Sequence, residues 1–269
     1  SVKKENRTLS LGVVMAAGSL GQFVMVPIVT YLIQISSWAD SLVNLIIIAS
    51  IMLVFSFILS FSSKSKSSKE GSEQTIKESL REAFRSKSYN LLTIGFFVCG
   101  FHVTFVATHL PAFLEDQSLP SWLGGWSLAL VGLFNILGTL LFGRLGDRLS
   151  KKNLLAVLYT LRSILFLLFI ILPKNELSVL LFASFLGILW LSTVPLTSGI
   201  ISDVFGSYYM STLYGITFLS HQIGSFLGSW LGGRIFDFYG SYDAMWWICV
   251  VLGFISAMFH IAIKEKPVE

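Results

Sequence analysis

Gly143-Arg144-Leu145-Gly146-Asp147-Arg148-Leu149-Ser150-Lys151-Lys152 is a short, strongly basic turn set between two apolar runs, 121–143 and 153–172. Each run has the roughly 20 apolar residues that a bilayer-crossing helix needs. A turn of this kind holds two spans together on one face of a membrane. Its cations keep it there, and its single carboxylate can pair with an arginine or sit at the positive end of a helix.

Working outward from that turn, six further runs have spanning length, at 8–35, 41–61, 89–114, 177–201, 209–234 and 242–263. Hydrophobic residues make up 54% of the 269-residue chain and charged residues only 13%, about half the usual share in a soluble domain. So little charge cannot cover a soluble surface, and an all-α integral membrane protein with eight transmembrane helices is expected. The net charge of +4 is then a matter of topology and gives no hint of nucleic acid. Cys99 and Cys249 both fall inside apolar runs, which argues against a disulfide framework or a metal site. No cofactor is expected.

One joint differs from the others. Residues 62–88 hold a Ser/Lys-rich run followed by a polar segment in which Ile76, Leu80 and Phe84 recur every four residues, the spacing of a short amphipathic helix. This linker divides the spans two before six, giving units at 1–61 and 89–269. With the N-terminus inside, sixteen of the nineteen Lys and Arg residues lie on the cytoplasmic side, and Lys174 and Arg234 on the outer side. Six tryptophans, among them Trp38, Trp122, Trp126 and Trp230, gather at the outer boundary, where amphipathic rings anchor. Both termini are therefore expected in the cytoplasm and the chain in the cell membrane. The chain begins without an initiator Met, and its first span follows almost at once.

The basic turn resembles the G-x-x-x-D-[RK]-x-G-[RK]-[RK] signature of the major facilitator superfamily, with Ser150 in place of the second glycine. In that family the signature follows the second and eighth of twelve helices, and a long cytoplasmic loop joins two six-helix halves. The resemblance covers essentially the whole chain. It implies that the eight spans correspond to helices 5–12 and that helices one to four are absent. Gly143, Asp147, Arg148, Lys151 and Lys152 would form the gating motif. Gly224-Ser-Phe-Leu-Gly228-Ser-Trp-Leu-Gly232-Gly233-Arg-Ile-Phe-Asp237-Phe-Tyr-Gly240-Ser-Tyr242 is similar to the penultimate helix of monocarboxylate-transporter-like and oxalate:formate-antiporter-like members. The segment from Arg7 to Gly21 is similar to their fifth helix. Glycine at every fourth position also lets helices approach closely whatever is transported.

Charge inside a bilayer costs energy, about 2.5–3.5 kcal/mol for Arg on an insertion scale, so each such residue needs a role or a partner. Arg162 is the only Lys, Arg, Asp or Glu deep within a span. It can anchor a carboxylate bidentately, or serve as a structural arginine bonded to neighbouring helices. His102 and His109, seven residues apart, share one helix face with Gly95, about 10 Å from each other and too far apart to share a metal. His221 and Gln222 lie mid-span in the seventh run. Each histidine can serve an anion or a proton, or be a hydrogen-bonded core residue. Trp190 opens a stretch, Trp190 to Gly199, in which Pro195 interrupts the helix near Ser and Thr hydroxyls. Such breaks line sites in transporters, and a simple kink gives the same sequence.

Relatives of the resembling branch carry a cation in the eighth helix and some carry another in the eleventh. Here those regions offer Asn135 and Thr139, then His221 and Gln222. No deep acid is available to couple protons, so that role falls to a histidine or to helices outside this chain. No H-E-x-x-H, G-x-S-x-G or Cys/His cluster supports an enzyme. The expected function is secondary transport of a small organic solute, an anion or carboxylate, by alternating access, with protons as the candidate coupling ion. A transporter-like sensor or assembly partner is the alternative.

Overall fold

The computed structural model describes residues 7–62, 75–206 and 208–265. The cations Lys3, Lys4 and Lys266 and most of the Ser/Lys-rich run lie outside these residues. Ten helices follow in order: α1 (Arg7–Ile35), α2 (Trp38–Ser62), α3 (Ile76–Arg85), α4 (Lys87–Asp116), α5 (Trp122–Gly146), α6 (Lys151–Ile171), α7 (Glu176–Leu189), α8 (Thr193–Phe205), α9 (Met210–Tyr239) and α10 (Asp243–Ile261). Polar residues in the joints start the helices. The Ser150 hydroxyl accepts from Asn153 N–H to open α6, and Asn175 forms a capping box with Ser178 to open α7. Ser150, the departure from the signature's glycine, is therefore the residue that caps α6.

Among the described residues seven helical stretches are long and apolar enough to cross a membrane, with α7 and α8 counted together as Glu176–Phe205. The eighth expected span, α9, has 30 residues but more Ser, Thr, Gly and His, and it runs alongside α4. Contacts fix the directions. Tyr89 donates to the Leu213 carbonyl at 2.8 Å, and Thr93 meets Thr217 at 3.0 Å one turn further on, so α4 and α9 are parallel. A Cβ on Gly224 or Gly228 of α9 would strike the carbonyl of Phe97 or Phe101 on α4. The every-fourth glycines thus bring two backbones together, as their spacing predicts.

α1 packs antiparallel to α5, with Gly12 against Thr139 and Gly125 against Thr30. α6 packs antiparallel to α10, with Lys152 at Ile263, Tyr159 at His260 and Ser163 at Gly253. α5 runs parallel to the α7–α8 segment, with Val131 at Gly187 and Gly138 at Ser192. α2 meets the bundle through α1 and turns Ile46, Ile47, Met52 and Leu53 outward. Two apolar clusters fill the bundle. One holds Phe105, Phe113, Phe166, Phe169, Phe182 and Trp246. The other holds Tyr89, Phe96, Leu155, Tyr159, Leu196 and Ile200. Between them lies a layer of buried polar residues.

Candidate functional site

That layer is organised around the interruption between α7 and α8. The helix stops at Leu189 and restarts at Thr193, so Pro195 lies just past the interruption. Pro195 instead occupies the first turn of α8, where its missing N–H costs nothing because first-turn N–H groups lack intrahelical partners. The expectation of a break in this span holds. The proline belongs to the first turn of the second helix and does not bend a continuous one.

A broken helix at mid-depth frees backbone groups that lipid cannot satisfy. Here two side chains from other helices take them. Arg162 of α6 donates Nη2 to the carbonyls of Leu189 and Trp190, the latter at 2.7 Å. Asn135 of α5 accepts from Leu191 N–H at 2.9 Å. Its amide nitrogen donates to the Ser19 hydroxyl of α1 at 2.6 Å, so one carboxamide joins α1, α5 and the break. Ser192 closes the set by donating to the Ile188 carbonyl at 2.7 Å. Trp190 contributes its carbonyl to this network, while its indole packs in the apolar cluster with Phe182 and Trp246.

Arg162 is fully buried. Its guanidinium lies 5.4 Å from the centre of the Tyr159 ring and 3.7 Å from Cys99 Sγ. The one ion pair among the described residues, Lys151–Asp203, is elsewhere, so no carboxylate neutralises Arg162. Peptide carbonyls and a ring face spread its charge instead. Cys99 also meets the Thr193 hydroxyl at 3.2 Å. It links α4 to the start of α8.

The histidines occupy separate niches. His221 is buried in α9, stacked on Phe218 at 5.2 Å, with Nδ1 3.1 Å from Gln222 Oε1, while Gln222 itself is exposed. His102 is enclosed among α4, α6 and α10, edge-on to Phe166 at 5.0 Å, and neither ring nitrogen has a partner at hydrogen-bond distance. His109 bonds the Ser229 carbonyl at 2.8 Å and the Tyr242 hydroxyl at 3.3 Å. Gly95 receives a different ring, that of His260, which stacks on Tyr159 at 4.8 Å. Asn135, Arg162 and Trp190 thus converge on one break, while His221 makes its hydrogen bond to Gln222 within α9. His102 and His109 stand apart from them. Sequence reading missed Ser19, Cys99 and His260, and the only local signal was a polar or small residue within an apolar run.

At one membrane face the basic turn forms a second cluster. Asp147 accepts from the N–H groups of Thr8 and Leu9, each at 3.0 Å, so its carboxylate caps the start of α1 and does not pair with an arginine. Gly143 lets α1 come that close: its Cβ would lie 3.2 Å from Leu9 Cα. Arg148 is exposed. Lys151 pairs with Asp203 at the end of α8, at 2.7 Å. Lys152 Nζ donates to the Ile261 and Ile263 carbonyls ending α10, and Glu265 returns the contact by accepting from Lys152 N–H at 2.6 Å.

A family model described as Major Facilitator Superfamily matches residues 1–229 and 123–269. An uncharacterized MFS-type transporter, YcxA of Bacillus subtilis, is 30% identical over 183 residues, covering 66% of this chain and 44% of its own length. Mouse monocarboxylate transporter 12 is 22% identical over 301 residues, covering 97% of this chain and 62% of its own. The human protein of the same name is 23% identical over 292 residues, covering 92% and 56%. The chain spans about half the length of these curated relatives.

Proposed function

The chain belongs to the Major Facilitator Superfamily, and from that premise we propose that it works as part of a secondary transporter moving a small organic anion by alternating access. The relatives' names support a transporter rather than an enzyme, and monocarboxylate transporter 12 among them supports a carboxylate-sized solute. The observation that carries the reading is the interrupted helix α7–α8 at mid-depth, held by a buried arginine that no acid neutralises. Discontinuous helices with freed backbone groups are where transporters place their sites. A buried cation with carbonyl partners but no counter-charge loses solvation that an anionic ligand partly restores.

In this reading α1 and α2 end one bundle, α4 to α10 make the other, and the spans are helices five to twelve. Asp147 gates one face by holding α1 in the closed arrangement, with Gly143, Arg148, Lys151 and Lys152 around it. Both termini are cytoplasmic, in the cell membrane. Protons couple through His221 or His102, since no acid lies deep in a span. Asn135 and His109 serve as supports, because their polar atoms are already bonded.

The test is uptake of radiolabelled small carboxylates by cells expressing the gene, with Arg162→Gln, His102→Gln and His221→Gln as variants. Uptake of an anion should fall in Arg162→Gln, and its pH dependence should flatten in a histidine variant. Unchanged uptake and pH profile in all three would remove the anion reading from these helices. An absence of uptake at normal membrane abundance would favour a sensor. Cysteines at Ser150 and Ser118 should be labelled from the cytoplasm and from outside respectively; labelling of Ser118 only from inside overturns the orientation.

A further inference from the structure

Helix α3 is ten residues long, opened by a full capping box between Thr75 and Glu78, and its last cap, Ser86, is also the first cap of α4. No spacer separates α3 from a span that begins at Lys87, so α3 is held where α4 leaves the apolar layer. Its contacts are one-sided. Ser79 and Ala83 are buried, Ala83 and Leu80 pack on the apolar cluster around Tyr89, and Phe84 stands edge-on to Tyr89 at 5.9 Å. Yet Ile76 and Phe84 remain 51% and 54% exposed.

At about 100° per residue, the order of side chains around α3 is informative. The protein-facing Ser79 and Ala83 come first, then the apolar edge of Ile76, Leu80 and Phe84. Lys77, Arg81 and Arg85 adjoin that edge, and Glu78 and Glu82 lie beyond them. Lys77, Arg81 and Arg85 are all exposed, and none is in an ion pair among the described residues. The Glu78 carboxylate is taken by the Thr75 backbone and hydroxyl. A helix facing only water would not set its exposed apolar residues beside its cations and away from its acids. A helix lying in a headgroup layer would: the apolar edge enters the acyl boundary, the cations reach phosphates, and the acids face water.

We propose that α3 lies in the membrane surface and binds anionic phospholipid headgroups through Lys77, Arg81 and Arg85, with Ile76 and Phe84 inserted beside them. The partner is a lipid surface, chosen by charge complementarity and by the direct junction with α4.

The experiment uses the full chain with Ile76→Cys carrying an environment-sensitive nitrobenzoxadiazole label, Cys99 and Cys249 being buried. The chain is reconstituted into vesicles of phosphatidylcholine alone or mixed with phosphatidylglycerol. Emission should shift to the blue when phosphatidylglycerol is present, and added salt should reverse the shift by screening. Arg81→Gln with Arg85→Gln should weaken the response about 25-fold, at about fivefold per cation. Arg81→Lys with Arg85→Lys should retain it, which separates lost charge from lost folding. A second label at Phe84→Cys should behave the same way. Water-like emission in both vesicles overturns the proposal, as does an unchanged response in the glutamine variant. An equal shift produced by inorganic phosphate on phosphatidylcholine vesicles would identify a free-anion site and overturn the lipid assignment.

Discussion

Replacing Asn135 by Ala removes the acceptor for Leu191 N–H and the donor to Ser19 while leaving α5 free to remain helical. Ser19 keeps a partner, because its hydroxyl also donates to the Met15 carbonyl at 3.0 Å. The Leu191 N–H has no second acceptor among the described residues. An orphaned buried donor costs about 1–3 kcal/mol. For a chain of this size each kcal/mol lowers the melting temperature by about 2–4 °C, so Asn135→Ala should melt roughly 2–12 °C below the parent. Membrane proteins often unfold irreversibly, so the comparison requires one detergent and one scan rate, read by intrinsic tryptophan fluorescence. Ser192→Ala is the internal standard: it removes a hydroxyl bonded within its own segment, to Ile188, and should cost less. A melting temperature for Asn135→Ala within about 1 °C of the parent, or a loss no larger than that of Ser192→Ala, would refute the view that Asn135 braces the break.

Asp147→Asn keeps one acceptor for the Thr8 and Leu9 N–H groups, turns the other oxygen into a donor that faces an N–H, and removes a charge worth about 0.3–1 kcal/mol at a helix end; uptake in cells should slow while membrane abundance stays normal, and full uptake would reduce the turn to a topogenic element. Gly224→Ala would drive a Cβ into the Phe97 carbonyl and should lower the melting temperature, whereas Gly215→Ala, with nothing within 4 Å, should leave this chain unchanged or slightly stabilised; equal melting of the two variants would contradict the close approach of α4 and α9. The Thr75 backbone N–H and hydroxyl hold the Glu78 carboxyl below its ordinary value of 4.5. A carboxyl depressed in the folded state stabilises above that value and ceases to as pH falls through its folded value; hydrogen exchange at the start of α3 should therefore be flat from neutral pH to about 5 and, corrected for intrinsic rates, rise below 4.5.

Spans, signature turn and surface helix were legible because each is written in local spacing. Ile76, Leu80 and Phe84 mark α3 within nine residues, and Asp147 announces itself as the one acid in a basic turn. The break was legible only in part. Pro195 is visible, but whether a proline bends a helix or starts one depends on who takes the carbonyls upstream, and Arg162 lies 27 residues from Leu189. Asn135 and Ser19 are 116 residues apart, and no periodicity encodes that pairing. His102 and His109 share a face by spacing, yet α10 stands against one and α9 against the other, so their environments diverge.

The polarity of α9 has a consequence for biogenesis. Its Thr217 and Ser220 hydroxyls find their partners on Thr93, 124 and 127 residues earlier in the chain. Leaving the insertion machinery alone, α9 would have to enter lipid with those groups unmatched, and its composition gives it little tendency to do so. At roughly 5–20 residues per second, α4 emerges on the order of ten seconds before α9. Its glycine- and threonine-lined groove must stay open for that interval, shielded from other helices, so that α9 enters the membrane by joining a waiting partner.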